Sequence, residues 1–79
     1  MDFSYDMLIE HIKQNRELHF YYCNKQYSIS NNKNGWYLTE FNNPVYQTCD
    51  DGETLIKYGK IEGNFLKDIW DDIEIEVVF

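Results

Sequence analysis

The chain contains few residues that could carry out acid–base or nucleophilic chemistry. His11 and His19 are its only histidines, and neither stands in a local motif with a serine, a cysteine or an acidic residue. Such a neighbour is what makes an imidazole a general base or activates a nucleophile. The sequence also has no glycine-rich phosphate loop and no nucleophile elbow. We therefore expect a non-enzymatic protein with no catalytic residues and no cofactor, in which both histidines make surface or partner contacts.

Neither the cysteines nor the acidic residues have the spacing of a metal site. Cys23 and Cys49 lie far apart in the sequence and match neither a zinc-ligand spacing nor a Cys-x-x-Cys motif, so we expect reduced thiols with a structural or incidental role. The run from Asp50 to Glu53 lacks the alternating ligands and the closing glutamate of a calcium-binding loop. The acidic residues therefore predict a solvated surface and no metal site.

The distribution of charge is the most informative feature of the sequence. The formal net charge is −7, and residues 50–79 contain nine of the fourteen acidic residues but only three of the seven basic ones. Direct binding to nucleic acids or to anionic membranes requires a basic surface, so we expect neither. No apolar run is long enough to span a membrane, and the first residues lack the pattern of a signal peptide, so the expected location is the cytoplasm.

The acidic residues predict a surface that binds a basic partner. Asp71 and Asp72 fall where a helix should end, a position at which the helix dipole disfavours anions. Glu74 and Glu76 should project from one face of a strand about 6.6 Å apart, near the separation of successive phosphates along a nucleic-acid strand. A rigid line of carboxylates of this kind could compete with DNA or RNA for a nucleic-acid-binding protein. The alternative is an ordinary acidic surface that keeps the protein soluble.

Tyrosines are the second group of candidate contact residues. Tyr5, Tyr21, Tyr37 and Tyr58 are candidates for exposure, and exposed tyrosines beside acids favour protein binding. The alternative is that these tyrosines are half-buried on a sheet face. The other large side chains are expected in the core: Phe20, Tyr22, Tyr27, Ile29, Trp36, Leu38, Phe65, Ile69 and Trp70. The full set of candidate partner-binding residues is Asp50, Asp51, Glu53, Asp68, Asp71, Asp72, Glu74, Glu76, Tyr21 and Tyr37.

Hydrophobic periodicity predicts a single α+β domain over residues 1–79. Residues 2–15 have the spacing of an amphipathic helix, with Asp2 or Ser4 as its N-cap and Asn15 at its end. From residue 18 the period changes to two, which predicts a hairpin that turns at Asn24-Lys25. Aromatic and β-branched runs at residues 36–41 and 45–49 extend it to an antiparallel meander of four strands.

The last third predicts two short helices and a strand. The first helix should follow Asp50-Asp51 and end near Gly59, and the second should begin after Asn64 as its N-cap. The remaining residues alternate, with Ile73, Ile75 and Val77 on one face and Glu74 and Glu76 on the other. We expect this strand to rejoin the sheet and the helices to cover one sheet face.

Two segments carry a resemblance to known proteins. Residues 61–73 (IEGNFLKDIWDDI), together with the hairpin at residues 20–29 (FYYCNKQYSI), resemble short uncharacterised proteins of low-GC Gram-positive bacteria and their phages. In size, acidity and mixed α/β character the chain is similar in type to small acidic anti-CRISPR and anti-restriction inhibitors. The resemblance implies no catalytic residues.

Two functional hypotheses follow. The first is a small inhibitor, phage-encoded and anti-CRISPR or otherwise anti-defence in type, that docks a nucleic-acid-mimicking negative surface onto a basic nucleic-acid-binding site of its target. The second is a housekeeping interaction module or small subunit that dimerises or binds a protein partner through a tyrosine-rich sheet face. The two differ in salt dependence, because electrostatic docking weakens as salt rises and an apolar interface barely responds.

Overall fold

The computed structural model describes residues 3–79, so Asp2, one of the two candidate N-caps, lies outside the described part. The elements, in chain order, are α1 (Tyr5–Lys13), β1 (Leu18–Tyr22), β2 (Lys25–Asn32), β3 (Gly35–Glu40), β4 (Tyr46–Cys49), α2 (Gly52–Tyr58), β5 (Lys60–Ile61), β6 (Asn64–Phe65), α3 (Leu66–Ile69), a 3₁₀ turn (Trp70–Asp72) and β7 (Glu74–Val78). This arrangement confirms the predicted α+β class.

A five-stranded antiparallel sheet organises the fold. Its strand order is β4-β3-β2-β1-β7, so the first four strands form the predicted meander and the last strand joins the sheet beside β1. The two-stranded β5–β6 hairpin forms a separate small sheet.

The three helices share one core with the sheet. Leu8 and Ile12 of α1, Leu55 and Ile56 of α2, and Leu66 and Ile69 of α3 are all buried. The same core contains the alternate residues of the central strands, namely Leu18, Phe20, Tyr27, Ile29, Trp36 and Leu38. The helices therefore cover one sheet face, because burying an apolar stripe against an apolar sheet removes both from water.

Local sequence signals explain the ends of α1 and α2. The Ser4 hydroxyl accepts a hydrogen bond of 3.1 Å from the backbone nitrogen of Met7, and Asn15, with φ of 61°, follows the helix end. The Asp51 carboxylate caps α2 by accepting from the backbone nitrogen of Thr54 at 2.7 Å, and Gly59 ends the helix. These side chains satisfy amides that have no partner within the helix.

The first hairpin turns one residue earlier than the sequence predicts. Tyr22 pairs with Lys25, so the two turn residues are Cys23 and Asn24, and their φ angles are 51° and 63°. Two positive φ angles are the signature of the turn whose twist matches that of antiparallel strands. Asn24 therefore occupies the second central position, and Lys25 belongs to β2.

The prediction for residues 61–70 was wrong in two details. Ile61 to Asn64 form a tight hairpin between β5 and β6, with Glu62 and Gly63 at φ of 52° and 80°. Residue Phe65 precedes α3, no side chain caps this helix, and the Phe65 ring is exposed rather than part of the core. Tyr22, also predicted as core, is half-buried.

A β-bulge interrupts the pairing of β7 with β1. Phe20 pairs with Ile75 and His19 pairs with Val77, which leaves Glu76 as the extra residue. As a result Ile75 and Val78 pack against the core, whereas Val77 is exposed beside His19. The sequence predicts Val77 on the same face as Ile73 and Ile75. This prediction was wrong, because the bulge turns Val77 to the outward face.

Candidate functional site

One face of the five-stranded sheet is not covered by the helices, and we call it the open face. It includes the outward side chains of β1 to β4 and β7 with the two aromatic residues that follow β3 and β7: His19, Tyr21, Gln26, Ser28, Ser30, Tyr37, Thr39, Phe41, Tyr46, Thr48, Glu74, Glu76, Val77 and Phe79. These positions alternate with the buried core positions, as expected for a sheet that packs on one side only.

An aromatic cluster lies at the centre of the open face. The His19 ring lies between Phe41, at a centroid distance of 5.1 Å, and Phe79, at 4.9 Å, and both contacts are edge-on. The backbone nitrogen of Phe79 donates a hydrogen bond of 2.8 Å to the backbone oxygen of Glu17, and this bond holds Phe79 beside β1. Edge-on contacts at these distances are favourable for π systems. His19 thus holds two aromatic rings on the surface, and its predicted role in surface contacts is consistent with this position.

A second aromatic pair occupies the β4 edge of the open face. Tyr37 of β3 and Tyr46 of β4 contact each other edge-on at 5.3 Å. Tyr37 is half-buried, and Tyr46 is 56% exposed. A large aromatic side chain left this accessible retains apolar area that a partner could bury.

Carboxylates border the open face along the edge strand β7. Glu74 pairs with Tyr21 across the strands, and Glu76 accepts a hydrogen bond from the Gln26 side chain. Loss of solvation, and then the neighbouring carboxylates of Glu76 and Glu74, raise the pKa of Tyr21 above its usual value of 10.0. Tyr21 therefore stays a neutral hydrogen-bond donor beside two negative charges.

The structure divides the predicted acidic residues into separate groups. Glu74 pairs with Tyr21, which pairs with Gln26 of β2, whereas Cys49, which precedes Asp50, pairs with Trp36, which pairs with Asn31 of β2. Five residues of β2 separate these ends, which corresponds to about 17 Å. Asp50, Asp51 and Glu53 thus lie at one end of the sheet and Glu74 at the other.

Asp68, Asp71 and Asp72 are exposed on α3 and the 3₁₀ turn that lead into β7. A hydrogen bond with Cys23, loss of solvation and then the carboxylates of Glu62 and Asp72 raise the pKa of Tyr22 above its usual value of 10.0. Of the ten predicted contact residues, Tyr21, Tyr37, Glu74 and Glu76 share the open face.

Sequence reasoning missed four large hydrophobic residues of the open face, Phe41, Tyr46, Val77 and Phe79. Continuing the alternation of β3 past Leu38 and Thr39 would have placed Phe41 on the outward side. Val77 faces outward only because of the bulge, which leaves no local signal in the sequence. The tyrosine predictions were mixed, since Tyr58 is exposed but Tyr5 is half-buried and its hydroxyl donates to the Ile56 oxygen at 3.1 Å.

Other kinds of site receive no support from the part of the chain that the structure describes. Among residues 3–79, no three His, Cys, Asp or Glu side chains are placed so that they could hold a metal ion. The helices of the same residues are too short and too polar to cross a membrane. No family model matches the chain, and no curated protein or solved structure shows significant similarity to it.

Proposed function

We propose that the protein is a non-enzymatic inhibitor that binds another protein through the open face and its acidic edge. The observation that carries this proposal is the cluster of half-buried His19 with the exposed rings of Phe41 and Phe79, on the same sheet face as Glu74 and Glu76. Aromatic side chains supply contact area at low entropic cost, and a charged rim supplies steering and register. An acidic rim selects a basic partner.

The proposed partner is a protein that handles nucleic acids and binds them through a basic surface. The net charge of −7 and the exposed carboxylates of Asp71, Asp72, Glu74 and Glu76 support this choice, because they attract such a surface at long range. Similarity in type to small acidic anti-CRISPR and anti-restriction inhibitors supports the same role. The inhibitor would exclude DNA or RNA by occupying the basic site.

The experiment uses a matched pair of charge reversals. Protein captured from cell extract by the immobilised chain is identified, purified and titrated against wild type, E74K/E76K and D50K/E53K. Both variants change the net charge equally, but only the first alters the open face. We expect E74K/E76K to weaken binding about tenfold or more, with D50K/E53K within about twofold of wild type. Equal losses, or no loss in E74K/E76K, would refute the proposal.

A second titration tests the inhibitory part of the proposal. The purified partner is bound to a fluorescent DNA or RNA duplex, and the protein is added. Release of the duplex by wild type but not by E74K/E76K supports competition for the basic surface. A ternary complex with bound duplex contradicts it, even if the open face is the binding surface.

The second candidate function is an interaction module that binds through the aromatic residues alone. The Tyr37–Tyr46 pair favours it, because Tyr46 is exposed at a corner of the open face far from Glu74 and Glu76. For this function binding should respond to Y46A and change little with salt. For the inhibitor, binding should weaken steeply as salt rises and should depend on E74K/E76K.

A further inference from the structure

A groove lies between α1 and α2, on the helix side of the molecule and away from the open face. Its volume is about 840 Å³, and its apolar lining includes Ile9, Ile12, Trp36 and Tyr58. Volumes between about 300 and 1,000 Å³ are typical of small-molecule sites. A hydrogen bond from the Tyr5 hydroxyl to the Ile56 oxygen joins the two helices beside the groove.

The charge around the groove differs from that of the rest of the molecule. Lys13 of α1, Lys57 of α2 and Lys67 of α3 all line it, so the groove is bordered by three of the seven basic residues of the chain. All three side chains are exposed, and none forms an ion pair with a residue between 3 and 79. The Lys57 ammonium lies 5.4 Å from the centroid of the Tyr58 ring, a cation–π contact.

Two acidic residues also line the groove, and one of them already has partners. The Asp51 carboxylate accepts hydrogen bonds from the backbone nitrogen and the hydroxyl of Thr54, so both of its oxygens already have partners, although it keeps its negative charge. Glu53 is the remaining carboxylate. The groove therefore combines an apolar lining with more available positive than negative charge, in a protein that is otherwise strongly acidic.

We propose that this groove binds a small amphipathic anion, a carboxylate attached to an apolar chain. Lys13, Lys57 and Lys67 pair with the carboxylate, and Ile9, Trp36 and Tyr58 contact the chain. The opposite charges determine the orientation, and burial of the chain supplies most of the affinity. This inference does not depend on the open face or on any protein partner.

Titration with decanoate, followed by two-dimensional ¹⁵N NMR of the full chain, tests the proposal. We expect saturable changes in the amide chemical shifts of α1, α2 and the start of α3. Decanol and decyltrimethylammonium, which have the same chain without the negative charge, should cause markedly smaller changes. Shifts concentrated at His19, Phe41 and Phe79, or equal binding of all three compounds, would overturn the proposal. So would the absence of saturable binding by decanoate below its micelle-forming concentration.

Matched lysine variants give the second readout. K13Q/K57Q/K67Q should weaken decanoate binding about tenfold, since each exposed ion pair contributes modestly. K25Q/K33Q/K60Q, with the same change in net charge, should bind within about twofold of wild type. Similar affinities for the two triple variants would contradict the role of the groove lysines. The open-face variant E74K/E76K tests the proposed function separately and should retain decanoate binding.

Discussion

The indole nitrogen of Trp70 donates a hydrogen bond of 2.7 Å to the backbone oxygen of Phe3, which lies 67 positions earlier in the chain. The Trp70 ring also contacts the rings of Phe3, Tyr5 and Phe20, at centroid distances of about 6 Å. One buried side chain therefore links the start of the chain, the first strand and the turn that leads into β7.

Replacing Trp70 by phenylalanine should destabilise the fold. The substitution removes the donor to the Phe3 oxygen and leaves part of the ring volume empty, which together cost about 2–4 kcal/mol. Urea denaturation followed by circular dichroism measures the change. Tyr58→Phe, at an exposed position, is the control and should change stability by less than about 0.5 kcal/mol. A loss for Trp70→Phe no larger than that of the control would contradict this role.

Gly52 should tolerate no side chain. A Cβ atom on Gly52 would lie 2.9 Å from the Trp36 ring and closer still to Cγ2 of Ile12, so α2 approaches α1 and β3 through this residue. Gly52→Ala should cost about 1–3 kcal/mol by overpacking, although alanine is the better helix former. Glu53→Ala, at the next and exposed helix position, should leave the denaturation midpoint nearly unchanged. A stabilised Gly52→Ala variant would show that the contact is looser than described.

The first hairpin turn can be improved by a residue that favours positive φ. Asn24→Gly removes the side-chain strain at φ of 63° and should stabilise the protein by about 0.5–1 kcal/mol. The β2–β3 turn provides the control, because neither Lys33 nor Asn34 has a positive φ. The backbone nitrogen of Asn34 also donates a hydrogen bond to the side-chain oxygen of Asn32. Asn34→Gly should therefore give no gain in a thermal melt. Equal gains at both turns would contradict the assignment of the first turn.

The Asp51 cap should make stability depend on pH. Hydrogen bonds from the Thr54 backbone and hydroxyl lower the pKa of Asp51 below its usual 3.8. The folded state therefore binds the proton less readily than the unfolded state. The stabilising contribution is complete above the unfolded pKa and is lost as the pH falls through the lower folded pKa.

Asp51→Ala should accordingly lower the urea midpoint at neutral pH, and its difference from wild type should shrink in acid. Asp50→Ala, one residue earlier, is the control, because the Asp50 side chain does not cap α2. A midpoint difference for Asp51→Ala that is constant from neutral to strongly acidic pH would exclude the cap as its cause.

The acidic edge should be detectable in the titration of Tyr21. Since the carboxylates of Glu76 and Glu74 both contribute to its raised pKa after desolvation, Glu76→Gln should lower that pKa towards 10.0, and by more than Glu74→Gln does. NMR of ¹³C-labelled tyrosine follows the ionisation. Glu53→Gln, at the other end of the sheet, should leave the Tyr21 titration unchanged. If Glu76→Gln left the Tyr21 titration unchanged, the Glu76 carboxylate would not border the open face beside Tyr21.

The sequence predicts the long elements well and the short ones poorly. Alternation over five or more residues identifies β1 to β3, and Asp51 and Gly59 identify the ends of α2, because these signals are local. The β5–β6 hairpin was missed since two-residue strands show no period, and its turn uses Glu62 rather than asparagine at a positive φ. Asn64, a plausible cap by type, instead lies in β6.

The candidate site was predictable only in part, for a related reason. Tyr21 and Glu74 face outward because their strands alternate regularly, and the sequence shows this. The position of Val77 depends on where Phe20 and His19 pair with β7. Phe79 joins the aromatic cluster through its contact with His19, a residue 60 positions earlier in the chain. Pairing between strands that are distant in sequence is not encoded in either strand alone.

The extra residue at Glu76 also affects how molecules of this protein can associate. β7 is an edge strand, and a regular edge offers its backbone to another chain, from which ordered fibrils can grow. The bulge twists this edge, and any strand added there would have to match its irregular spacing. Removing one residue at position 76 would restore a regular edge. The shortened protein should tend to aggregate. The wild-type edge strand opposes such association by its geometry as well as by its charge.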